Sequence, residues 1–358
     1  MAGLVVGALL MPALAAAKPG DLIVGDSNGD QVVRVDPHSG DVAEIAAGPP
    51  LQGPNGIAFQ PRRGFYLADY PSQAIVEISE GGNVSTLSDD PRFQGPLYVD
   101  RSPDGSLYVG DRGAGVLRVN PRSGATKSFS TGGMLVGAAG VEVAHNASIF
   151  VSDPDGALGA VYRLHRSSGA QNEVASGPPL IDPYGLAIAP DRILYAADGS
   201  GAVIRIDPRT GSATTVASGA EFSEPFDVAV HPNGFLYVAQ YSAGNVVRVD
   251  PRNGAVVEIA DAGLVSPEGI EVEPPKCNGR VADIVGSKKK DKLKGSKFPD
   301  VIAGLGGNDK LKGLKGNDRI CGGKGKDKLA GGKGKDKLAG GKGRDKLAGG
   351  AGKDKEKQ

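Results

Sequence analysis

The sequence has no tryptophan, two cysteines, three methionines and four histidines, and aromatic residues make up only 5% of it. Each scarcity removes a class of function. Two cysteines with no histidine beside them cannot furnish a tetrahedral zinc cage. His38, His145, His165 and His231 occupy non-equivalent loop or strand-end positions, and no Ser/His/Asp arrangement accompanies them. Nucleophilic catalysis by a triad therefore has no support. No aromatics interleave the charged stretches, so nucleic-acid bases would find no stacking platform. No apolar run reaches the ~20 residues of a membrane span. Helical periodicity is missing too, and with 56 glycines in 358 residues this points to repetitive β structure.

The formal net charge of zero hides a division. Residues 1–285 hold 19 Lys and Arg against 32 Asp and Glu, a net charge of −13, and residues 286–358 hold 22 against 9, a net charge of +13. An acidic body thus carries a basic tail, and such asymmetry suggests separate partners. The start, "MAGLVVGALLMPALAAAKPG", reads as a signal peptide over residues 1–17 rather than a buried first strand. It is an apolar core ending in Ala15, Ala16 and Ala17, although no Lys or Arg precedes it. Export would place Cys277 and Cys321 in an oxidising compartment, where a disulfide is expected; two free buried thiols are the alternative.

The body repeats. Strands ending in Asp recur as "LIVGD", "FYLAD", "LYVGD", "IFVSD" and "LYAAD", then "LYVAQ", closing at Asp26, Asp69, Asp111, Asp153, Asp198 and Gln240 with spacings of 43, 42, 42, 45 and 42. A β-branched strand, a turn such as "RTG", a third strand, and a short apolar strand usually opened by proline follow each one. Four short strands per unit make a propeller blade, which buries its faces only by stacking on neighbours. The strands read as mostly apolar throughout, as suits blades covered on both faces. The first unit lacks its opening strand and the last is a lone "GIEVEP". Pairing them predicts an all-β, six-bladed β-propeller over residues 18–275. The recurrent Asp reads as a turn cap.

Units of the form "PxGIAxxPxGxLYVADxxxxxVxRVDPxTG" resemble the NHL-repeat and SMP-30/gluconolactonase-like propellers, over about residues 21–275. The gluconolactonase-like resemblance implies a divalent metal held by Glu, Asn and Asp before the innermost strands. The equivalent positions here are Asn55, Leu97, Ala139, Tyr184, Phe226 and Glu268, with Asp227 one residue along. Asn55, Glu268, Asp227 and Tyr184 are thus the channel-mouth candidates, for metal ligation or for gripping an unidentified ligand.

From Gly286 to Lys357 a nine-residue frame holds without a break, with Gly first, Asp sixth and an apolar residue eighth until Glu356. This resembles the RTX, or haemolysin-type, calcium-binding repeat, which implies a C-terminal parallel β-roll over residues 276–358. Glycine permits positive φ and close backbone approach, and Asp adds a charged oxygen to the shell Ca²⁺ needs. The expected calcium ligands are Asp309, Asp318, Asp327, Asp336, Asp345 and Asp354 with the turns of Gly322, Gly325, Gly331, Gly334, Gly340 and Gly343. The units from Gly286 and Gly295 lack the fourth-position glycine and are expected to bind poorly. Lysines fill the third, fifth and seventh positions, facing water. A disordered cationic linker would have no reason to keep the eighth residue apolar.

The sequence thus reads as a secreted calcium-binding protein with a propeller platform, its lysine-rich tail drawn to anionic cell-envelope polymers. The alternative is a secreted metal-dependent hydrolase or lyase of the SMP-30 kind.

Overall fold

A computed structural model describes residues 18–358 apart from 61–63, 80 and 145. The signal-peptide reading of residues 1–17 and His145 lie outside the described residues. Six four-stranded antiparallel sheets form the body. Their innermost strands are Pro54–Phe59, Pro96–Arg101, Val141–Val143, Pro183–Ile188, Pro225–Val230 and Pro267–Val272. The last of these pairs with Leu22–Asp26, which continues to Gln31–Val35 and Val42–Ala47. One blade is therefore built from both ends of the body, and the ring closes.

The core is divided into wedges. Ile23, Val32 and Leu51 pack on Ile57, Leu67 and Val76 of the next blade, and five further clusters fill the remaining blade interfaces in turn. The expectation of strands apolar on both faces needs correction at the rim. The outermost strands, such as Val84–Ser88 and Gln171–Ser176, are mostly exposed or half-buried, with one buried residue each. Blades splay with distance from the axis, so the rim faces water.

Beyond the ring, a small hairpin of Lys276–Cys277 and Arg280–Val281 leads into a solenoid. Two parallel sheets wind through it, with register advancing 18 residues per coil: Leu293, Leu311, Leu329 and Leu347 stack on one side. Ile284, Ile302, Ile320 and Leu338 stack on the other, and Glu356 ends that row. These leucines and isoleucines are the whole dry interior of the roll. A disulfide joins Cys277 to Cys321, fastening the hairpin to the strand Arg319–Lys324. The tail meets the propeller through the Arg101–Asp283 ion pair and through Arg166 stacked 5.3 Å over the Phe298 ring.

Candidate metal centre

In the solenoid the sixth-position Asp residues from Asp309 to Asp345 are each held by one oxygen only. Oδ1 of Asp309, Asp318, Asp327, Asp345 and Asp354 accepts the backbone N–H of the Asp one coil earlier at 2.8–2.9 Å, and Asp336 accepts that of Asp318 at 2.9 Å. Oδ2 of Asp309, Asp318, Asp327, Asp336 and Asp345 is buried with no hydrogen-bond partner. A buried carboxylate oxygen left unpaired is costly. Burial pushes Asp309 up to about 6 and Asp318 up to about 7, with neighbouring Asp residues adding to it.

The glycines are fixed by contact. A Cβ at Gly313, Gly322 or Gly331 would stand 2.1–2.4 Å from the unpaired Oδ2 of its own unit. Gly325, Gly334 and Gly343 have φ of 138–146°, and a Cβ there would fall 1.5–1.7 Å from a carbonyl oxygen of the coil beneath. The first two units differ through the serine at their second position. Ser287 donates its N–H and hydroxyl to Asp291 Oδ2 at 2.7 and 3.0 Å, and Ser296 N–H donates to Asp300 Oδ2 at 2.6 Å. A serine therefore satisfies the oxygen that is left bare in later units. Sequence reasoning missed Asn308 and Asn317, whose Oδ1 atoms accept Lys326 and Lys335 N–H at 2.8 Å and pin successive turns.

At the channel mouth, Asn55 Nδ2 donates directly to Glu268 Oε2, and Ser27 Oγ donates to Oε1 at 2.6 Å. Burial raises the Glu268 carboxyl to about 7. The other two candidates do not join them. Asp227 turns into the ring wall, accepting Ile270 and Val228 N–H at 2.9 and 2.8 Å, and burial raises it to about 8. Tyr184 stacks on Phe226 with centroids 4.2 Å apart. An unforeseen residue fills the axis: Tyr98 reaches across the ring, its hydroxyl donating to the Phe226 carbonyl at 2.6 Å. Gly56 makes the room, since a Cβ there would lie 2.6 Å from the Tyr98 ring. Two residues further along, Asp100, Glu142 and Glu271 stand at equivalent places on three strands, all pushed up by burial. They border a cavity of about 1510 Å³ between the propeller and the tail. Among the described residues no three His, Cys, Asp or Glu side chains converge as a metal cage.

The family model of the RTX calcium-binding nonapeptide repeat matches residues 294–329 and 322–355. The tail consists of RTX repeats. Calcium is the ion such repeats take. The RTX coils fit it: Asp309, Asp318, Asp327, Asp336 and Asp345 each contribute one bare carboxylate oxygen beside turns whose glycines let backbone carbonyls approach, and calcium needs a shell of oxygens rather than a cluster of acids. A search of the curated proteins finds no significant match to the sequence. Among solved structures, a chain of the nidogen/laminin complex matches at a TM-score of 0.64 and 15% identity, over 72% of this chain and 99% of its own. A gluconolactonase from Xanthomonas campestris matches at 0.53 and 19%, over 72% and 90%. Virginiamycin B lyase from Staphylococcus aureus matches at 0.52 and 14%, over 69% and 86%. At these identities the likeness establishes the propeller fold alone.

Proposed function

We propose that the chain is a secreted calcium-binding protein in which the RTX tail is ordered by Ca²⁺ and the propeller serves as a platform for a ligand or partner. The five unpartnered Oδ2 atoms carry this reading. Asp309, Asp318, Asp327, Asp336 and Asp345 would each give a charged oxygen to an ion, Asp354 completing the row, and the glycine turns would supply carbonyls. Calcium there neutralises carboxylates that are otherwise strained by burial. Export is supported by the apolar leader sequence and by the disulfide, which suits an oxidising compartment. A platform is favoured over a catalyst because Tyr98 occupies the axis and Asp227, the third acid of the implied ligand set, is turned into the ring wall.

Titrating the full chain with Ca²⁺ tests this. Far-ultraviolet circular dichroism should gain β signal, with heat released in calorimetry, at roughly millimolar calcium. No heat and an unchanged spectrum at tenfold more calcium would refute it. The Asn55–Glu268 pair, with the fold of a gluconolactonase, favours a metal-dependent hydrolase or lyase as the second reading. One tightly held metal equivalent on the tail-less propeller, lost in Glu268→Gln, would move the choice to that enzyme.

A further inference from the structure

The two faces of the solenoid are unlike. One sheet is covered at its start by the disulfide-tied hairpin, with Cys277 and Ala282 packed on Val301 and Ala303. The other, made of Lys292–Lys294, Lys310–Lys315, Lys328–Lys333 and Lys346–Ala351, has no such cover. Its inward residues are Leu293, Leu311, Leu329 and Leu347, so the residues on either side point out. Those eight outward positions are Lys292, Lys294, Lys310, Lys312, Lys328, Ala330, Lys346 and Ala348, with no acidic residue among them. All six lysines are exposed, and none of the ion pairs among the described residues involves them. The register puts Lys292, Lys310, Lys328 and Lys346 in one column at the ~4.8 Å strand repeat.

We propose that this lysine face binds a linear anionic polysaccharide laid along the solenoid axis. Like charges stacked in register repel one another, and a partner with acidic groups at a similar interval relieves every rung at once. Binding would displace counterions from both chains, so it would weaken steeply with salt. No aromatic or large apolar side chain stands at the eight positions to stack on a base or enter a lipid surface, which sets aside single-stranded nucleic acid and membrane. Sulfated or carboxylated sugar rings need only regular cations. Lys292 and Lys294 border the cavity whose far wall holds Asp100, Glu142 and Glu271. The propeller crowds that first rung, so the polymer occupies the outer rungs from Lys310 to Lys346. The inference rests on calcium ordering only insofar as the ion is needed to keep the coils in register.

The test uses the full chain in calcium, with dextran sulfate, neutral dextran and oligodeoxythymidylate as probes. Dextran sulfate should bind and neutral dextran should not. A column variant, K310Q/K328Q/K346Q, and a turn variant, K326Q/K335Q/K353Q, each remove the same charge. The column variant should lose about fivefold more affinity than the turn variant, with a shallower salt slope. Equal losses would overturn the proposal, as would oligodeoxythymidylate binding as tightly as dextran sulfate. Repeating the comparison in chelator separates the two readings. If the excess loss disappears, calcium ordering and the lysine column stand together. If it persists and calcium gives no heat, the column stands and the calcium reading falls.

Discussion

A single carboxylate does different work in the two halves of this chain, and its unused oxygen tells which. Asp111 spends both oxygens on its own blade, accepting Gln94 N–H at 2.9 Å and those of Gly113 and Ala114 at 3.0 and 2.9 Å. Asp69, Asp153, Asp198 and Asp26 repeat the clasp, and Gln240 accepts Ser223 N–H in its place. Repetition in the sequence was enough to read these as caps, because a ligand set has no reason to recur in every blade. Asp111→Ala should strand three donors and lower stability by about 3 kcal/mol, measured by urea unfolding. The frame marked the tail Asp residues as a repeating set, and the structure leaves one oxygen bare on five of them. Tyr98 was not legible, because its role depends on Gly56 and the Phe226 carbonyl in other blades, which no local pattern connects to it.

At the level of strands, the ring depends on Pro267–Val272. Its register with Leu22–Asp26, Ile270 opposite Val24, joins residues almost the whole body apart. The two incomplete sequence units predicted this closure, since neither could bury its faces alone. A chain truncated after Ser266 should melt far below one truncated after Pro275, because it leaves unpaired sheet edges. Equal melting temperatures in a thermal scan would remove the closing role. Composition was less informative about the outer strands, whose exposure follows from radius rather than from residue type. In the solenoid the eighth-position leucines announced the roll, while the serine donors that satisfy Asp291 and Asp300 needed side-chain geometry.

For the molecule as a whole, buried acids at the propeller axis set a pH dependence. Burial raises Asp100 to about 6 and Asp227 to about 8, and lifts Glu142 and Glu271 well above their usual range. In the unfolded chain such groups ionise near pH 4, whereas the folded chain retains their protons. The unfolded state therefore holds fewer protons, and stability falls as pH rises from about 4 toward 8. The urea midpoint should be lower at pH 8 than at pH 5. Glu142→Gln keeps an acceptor for Ile188 N–H without an ionisable proton, so it should narrow that gap; an unaltered gap would exclude Glu142 as a contributor.

All nine tyrosines lie in the propeller, and the tail has Phe298 as its lone aromatic. With no tryptophan anywhere, near-ultraviolet absorption and emission come from the propeller, and the most informative chromophore is Tyr98, anchored across the axis. The molecule thus carries a built-in optical division. Tyrosine bands report whether the blades are assembled, while the amide region reports blades and coils together. Calcium withdrawal should move the second and leave the first in place, giving a label-free way to watch the two halves separately in one sample.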